Sequence, residues 1–257
     1  MHRNHQWNYI ILSDLMRESS QLRLQPVVLF GSLLGIVRNG ELLAWNNDVE
    51  LGVLSESWEN GDLESLIKAL RACGHIVNHY KLTRAISVRG ANGLGEIHLN
   101  CFFQAARYCY RPIEPANFKY CNIFSACLYF LALLISAELD RKNTSAVKRL
   151  FSITNKLIPA KLRVCIARML LWLSLFFTSW KGVNQFPFSL DEPMECDLRK
   201  VTVLTPKDRI KVVSAIYGAD WATPKEGWSF YDPANHSETA VKRLAIPWDY
   251  ASWSCKI

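Results

Sequence analysis

Between Trp7 and Leu22 the apolar residues Tyr9, Leu12, Leu15 and Met16 recur at helical spacing, which predicts an opening helix. Pro26-Val27-Val28-Leu29-Phe30 then forms a short unbroken apolar run of the kind that fills a buried strand, and Gly31-Ser32 ends it. Leu33 to Asn39 reads as a short helix closed by Gly40. From Trp45 to Val53 the pattern changes to alternation, with Asn46, Asp48 and Glu50 on one face and Asn47, Val49 and Leu51 on the other, a second strand. Helical period returns at Asp62 to Cys73, where Leu63, Leu66, Ile67 and Leu70 make a stripe that stops at Gly74. Ile86-Ser87-Val88-Arg89, an Asn92-Gly93 turn and Glu96 to Phe103 read as a hairpin.

Farther on, eighteen uncharged residues separate Lys119 from Glu138, and Met169 to Trp180 is a second, shorter apolar run; both predict helices. Thr205-Pro206 predicts the N-cap and first-turn proline of a last helix, with Ile210, Val213 and Ile216-Tyr217 on its apolar side and Gly218 at its end. The tail after Pro233 is turn-rich and weakly patterned. Helices alternating with short strands and a hairpin make this an α+β chain. Its expected parts are a core over residues 1–118, a helical segment over 119–185, and a return to the core over 186–257.

Composition narrows the class. Half of the 257 residues are apolar and 12% are aromatic, which argues for packed cores rather than disorder. The formal charge of +7 is local, because Arg141 to Leu190 holds nine Lys/Arg and no Asp or Glu, leaving 21 basic against 23 acidic residues elsewhere. A protein that coats nucleic acid would carry its charge more widely, so no nucleic-acid partner is expected. No apolar run follows the N-terminal residues, so no cleaved secretory signal is predicted and a cytoplasmic location is expected. The eight cysteines show no CxxC pair and are expected to be reduced. Asn143-Thr144-Ser145 and Asn235-His236-Ser237 fit a glycosylation sequon that has meaning only with secretion.

The candidate chemistry lies where the first strand meets the second. A Gly-Ser turn at a helix start lets backbone N–H groups approach phosphate oxygens, which the helix dipole also favours. Asp48 and Glu50, two apart on a strand, point the same way, so both carboxylates can hold one divalent cation, Mg²⁺ or Mn²⁺, that bridges donor phosphates. On the third strand Glu96, His98 and Asn100 share a face, and His98 suits the acceptance of a proton from an attacking hydroxyl.

Gly31-Ser32-Leu33-Leu34-Gly35-Ile36-Val37-Arg38-Asn39-Gly40, followed by Trp45-Asn46-Asn47-Asp48-Val49-Glu50-Leu51-Gly52, resembles the LicD/fukutin signature G[ST]LLGxxRxG…PWDxDxDxG. Tyr217-Gly218-Ala219-Asp220-Trp221-Ala222-Thr223-Pro224 is similar to that family's C-terminal YGxxWxTP segment. The resemblance implies the nucleotidyltransferase fold, a small mixed sheet flanked by helices, here with an inserted basic and apolar helical segment. It implies transfer of a phosphocholine-like or phospho-polyol group from a CDP-activated donor to a hydroxyl of a cell-surface or lipid-linked glycan. Gly31 and Ser32 would then cradle donor phosphates, with Arg38 and Asn100 also binding substrate, while Asp48 and Glu50 bind metal and act with His98 in catalysis. Asn46 and Asn100 stand where the family usually carries Asp, and an amide has neither charge nor basicity. These two positions keep open a catalytically dead nucleotide binder, and a nucleotidyltransferase acting on a small molecule or protein is a further alternative. The basic, apolar middle predicts peripheral docking on an anionic membrane surface, at the inner face.

Overall fold

The computed structural model describes residues 3–59, 62–80, 84–105, 108–112, 123–136, 158–176, 183–186, 188–224 and 242–244. Both sequons' asparagines, Cys121, Cys255 and the tail from 245 onward lie outside these residues. The elements relevant below are α1 (Arg3–Ser20), β1 (Val27–Val28), α2 (Phe30–Asn39), β2 (Val49–Leu54), α3 (Ser55–Glu59), α4 (Asp62–Ala72), β3 (Ile76–Tyr80), β4 (Ala85–Arg89), β5 (Glu96–Ala105), β6 (Tyr108–Pro112), α5 (Ile123–Ser136), α6 (Ala160–Phe176), β7 (Val183–Phe186), β8 (Met194–Leu198), β9 (Val201–Thr205) and α7 (Arg209–Tyr217).

The chain divides into two compact units, one of residues 1–79, 85–111 and 185–242, the other of 80–84, 112–184 and 243–257. In the first, the strands follow the order β6-β5-β2-β1-β9-β8, with β4 also paired to β5. β2 runs parallel to β5 and β1 parallel to β9, whereas β1/β2, β4/β5 and β8/β9 are antiparallel, so the sheet is mixed. Val49, Leu51, Ile97 and Leu99 are fully buried, α1 lies against α4, β5 and β9, and α2 against β2 and α7. This is an α+β fold with an open mixed sheet flanked by helices.

Several elements depart from the pattern-based expectation. β1 is only two residues long and α2 starts at once, because the Leu33 N–H already bonds the Leu29 carbonyl at 3.1 Å. The reversal from strand to helix is made at Phe30, whose φ of 50° is unusual for a bulky residue and is held by ring contacts to Phe102 and Phe186. β2 begins at Val49 rather than Trp45, since the Asn46 N–H turns back to the Leu43 carbonyl and the Asn47 carbonyl accepts from the Asn8 side chain. Thr205 closes β9, its hydroxyl donating to the Met194 carbonyl, and Asp208 rather than Thr205 caps the last helix by accepting from the Lys211 N–H. On that helix Val213, Ile216 and Tyr217 are buried as the pattern predicts, joined by Val212, whereas Ile210 in the first turn is exposed.

In the second unit α5 and α6 pack through Ala132, Ile135 and Ala167, with Ile166, Leu170 and Leu171 beside them. α6 starts at Ala160, earlier than its apolar run, because the Leu162, Arg163 and Ile166 stretch continues the helical period ahead of Met169. No disulfide joins the six described cysteines. No described helix is long and apolar enough to cross a membrane.

Candidate functional site

Gly31 and Ser32 lie in the first turn of α2, and β2 passes directly beside them. The Ser32 hydroxyl, fully buried, accepts the Glu50 N–H at 3.0 Å, while the Gly31 N–H donates to the Glu50 carboxylate. The start of α2 thus clasps both ends of Glu50. A Cβ at Gly31 would stand 2.7 Å from Asn46 Nδ2, so a side chain there would displace the Asn46 amide. Gly35, one turn on, is more tightly constrained: its Cβ would meet the Glu41 carbonyl at 2.6 Å, so the 41–47 loop can lie on α2 only over a bare backbone. These two glycines bring Asn46, Asp48 and Glu50 to the N-terminus of α2.

Glu50 and Asp48 repel each other there. Burial, and then the charge of Asp48, push the Glu50 carboxyl up to about 7, against the lowering effect of Arg111 and the Gly31 N–H. The Tyr217 phenol of α7 is raised well above its ordinary value by burial and by the nearby Glu50 charge, so it stays neutral at physiological pH. The charge effect places the C-terminal Tyr217-Gly218 segment near the Glu50 carboxylate, a convergence that two distant motifs in a sequence do not reveal.

β5 supplies the other wall. In the parallel β2/β5 ladder His98 stands opposite Glu50, and on the other side it faces Ser87 of β4. His98 Nε2 lies 3.4 Å from Glu96 Oε1 and 3.8 Å from Asp48 Oδ2, with about a third of its side chain open to solvent. Burial raises Glu96, but hydrogen bonds from Arg89 at 2.7 Å and Ser87 at 2.9 Å, together with the charge of His98, outweigh it and hold the carboxyl below its usual range. Glu96 is therefore an ionised anchor for His98. Asn100, two residues deeper on the same strand, is buried opposite Gly52 and Ala85 rather than at the open edge.

Arg38 sits seven residues beyond Gly31, about 10 Å along the helix axis. Its guanidinium lies over the Trp45 ring at 5.2 Å from the centroid, and its Nη2 is buried with no hydrogen-bond acceptor among the described residues. Trp45 is 62% exposed, a surface aromatic.

One contributor carried no sequence signal. Asn8 of α1, almost fully buried, accepts the Glu96 N–H at 2.9 Å and donates to the Asn47 carbonyl at 3.3 Å, so one side chain ties the residue before Asp48 to the start of β5. His5 Nε2 donates to the Leu43 carbonyl and the Tyr9 hydroxyl accepts the Leu42 N–H, fastening the same loop to the same helix. Three polar side chains at helical spacing on a buried face are the only trace of this in the sequence.

The arrangement is two coupled carboxylates at a helix N-terminus, with an anchored imidazole on the adjacent strand. Residues 24–103 match the model of the LicD/FKTN/FKRP nucleotidyltransferase domain. This segment is a LicD-family domain. All of the candidate residues from Gly31 to Asn100 fall within the matched stretch, while Asn8 and Tyr217 reach the site from outside it. The chain is also similar to the antibiotic-resistance factor ANT(2'')-Ia: its solution structure is 12% identical and aligns over 66% of this chain and 93% of that one with a TM-score of 0.32. The crystal structure of ANT(2'')-Ia in complex with adenylyl-2''-tobramycin, also 12% identical, aligns over 63% and 95% with a TM-score of 0.30. Likenesses this distant carry no argument about activity. No curated protein matches the chain. The matched model is of a nucleotidyltransferase domain, a domain of transferase type.

Among the described residues no three His, Cys, Asp or Glu side chains gather as a metal cage. The pair Asp48/Glu50 nevertheless fits a hard divalent cation, since such ions are commonly held by one or two carboxylates plus substrate phosphates. A carboxyl raised to about 7 by burial and then by its neighbour's charge is favoured by either a proton or a cation beside it at neutral pH.

Proposed function

We propose that this LicD-family domain moves a phospho-alcohol, phosphocholine-like or a phospho-polyol, from a CDP-linked donor to a glycan hydroxyl in the synthesis of a surface polysaccharide or its lipid-linked precursor, at the inner face of a membrane. The observation that carries the reading is the buried Glu50 carboxyl set beside Asp48 at the N-terminus of α2, a pair whose negative charge a divalent cation would offset. Mg²⁺ or Mn²⁺, when bound, would supply charge neutralisation on the phosphates undergoing transfer.

The protein's own groups have separable roles. Asp48 and Glu50 hold the cation. Ser32, whose hydroxyl belongs to the Glu50 backbone, orients that carboxylate, and the Gly31 backbone keeps the approach to it narrow. Arg38 has a buried Nη2 without an acceptor among the described residues, which an anionic ligand would satisfy. Its distance along α2 requires a donor extended enough to span from Gly31 to Trp45, as a diphosphate-linked nucleotide is. His98 takes the proton from the attacking hydroxyl through Nε2, with Glu96 holding the ring, and Asn100 lines the buried floor of the same face. Transfer is in line at the donor phosphorus, and CMP leaves.

Attachment of the nucleotide itself would release pyrophosphate instead of CMP. A catalytically dead binder, favoured by the amides at Asn46 and Asn100, would release neither. The test is a thermal-shift and product assay with CDP-choline, CDP-ribitol and Mn²⁺ on wild type and Asp48→Ala. Metal-dependent stabilisation that Asp48→Ala abolishes, with CMP as product, supports the proposal. Equal shifts in the two proteins would remove the metal role, and stabilisation without any released product would leave a binder.

A further inference from the structure

We infer that the outer sides of α5 and α6 form a docking surface for an anionic lipid bilayer. A helix pair that is soluble on its own buries its apolar stripes and turns polar ones outward. Here the outward positions are apolar as well. On α5, Phe124 is 55% exposed and Phe130 and Leu131 are also exposed, while Tyr129, Ala132 and Ile135 are buried. On α6, Leu162 and Met169 are exposed, the latter at 56%, while Ala167 is buried against α5. Each helix therefore carries one apolar stripe toward its partner and a second, helically spaced one toward solvent, an arrangement that marks an interaction surface.

Charge identifies the occupant. α5 contains no Asp, Glu, Lys, Arg or His, and α6 lies in the 141–190 stretch that has nine Lys/Arg and no Asp or Glu. A second copy of the chain would bring the same positive segment and be repelled, whereas an anionic bilayer offers both acyl chains for the stripes and phosphates for the cations. The helices of 14 and 17 residues rise about 21 and 25 Å, less than the roughly 30 Å of a hydrocarbon core. They would lie at the boundary between headgroups and acyl chains.

The full-length protein should sediment with phosphatidylcholine vesicles containing phosphatidylglycerol at low salt, dissociate as NaCl is raised, and remain in the supernatant with phosphatidylcholine alone. Phe130→Gln combined with Leu162→Gln should weaken partitioning on the order of tenfold per side chain with an unchanged melting temperature. Phe124→Gln with Met169→Gln serves as a second pair should the first not fold. The inference is overturned if wild type ignores the anionic vesicles, or if folded variants bind as well as wild type. Binding that survives high salt and carbonate would overturn it in favour of a spanning segment, and wild-type self-association abolished by the same substitutions would assign the surface to a second copy.

Discussion

Glu50 is the residue on which most of the site's electrostatics converge. Its carboxyl titrates near 7 in the folded protein against 4.5 as a free side chain, so between those pH values the folded state keeps a proton that the unfolded chain has released. The stabilisation from that proton is complete below about pH 4.5 and is lost as pH rises through about 7, on the order of 3 kcal/mol in all. Metal-free wild type is therefore expected to lose stability over this window in urea unfolding, and Glu50→Gln is expected to flatten the dependence. Stabilisation by Mn²⁺ should run the opposite way, growing as pH rises and the competing proton leaves. A pH-independent metal effect would show that Glu50 is not a ligand. At His98, removal of a proton acceptor should cost on the order of 10² to 10⁴ fold in CMP release. His98→Ala is expected to lose more activity than Glu96→Ala, because Glu96 acts only through the ring it holds; the reverse order would assign the base to Glu96.

At the scale of elements, α1 functions as a clamp. Asn8 reaches two backbone groups on different elements, and its replacement by Ala strands a donor and an acceptor in a buried place. A stability loss of about 1–3 kcal/mol is expected. Because the bridge fixes the loop before Asp48 against β5, the fall in kcat should exceed the rise in KM for CDP-choline, whereas an equal effect on both, or none, would make α1 mere packing. Asn8 also marks the limit of what could be read in advance. The α4 stripe, the β4/β5 hairpin and the face shared by Glu96, His98 and Asn100 were legible because each depends on local periodicity. The late start of β2 was not, because it depends on the tertiary hydrogen bond from Asn8 to the Asn47 carbonyl and on the loop lying on Gly35, and the α7 cap falls to Asp208 rather than Thr205 because Thr205 is held in β9. The Gly31-Ser32 pair was found by sequence, yet its orientation, with Ser32 turned inward to Glu50 and no longer open to solvent, depends on how early α2 begins.

Across the whole molecule, positive charge is segregated. Outside residues 141–190 basic and acidic residues nearly balance, so a donor diphosphate meets no broad cationic surface and the local neutralisation must come from a few groups and a cation. Everything proposed for catalysis therefore depends on one geometric claim, that Asp48 and Glu50 hold a divalent ion shared with the donor. Crystals grown with Mn²⁺ and CDP-choline, measured at the manganese absorption edge, test it directly. An anomalous peak within bonding distance of both carboxylates, about 2.0 to 2.3 Å, and touching a diphosphate oxygen is the predicted result. A bound nucleotide with no peak between Asp48 and Glu50 would contradict it.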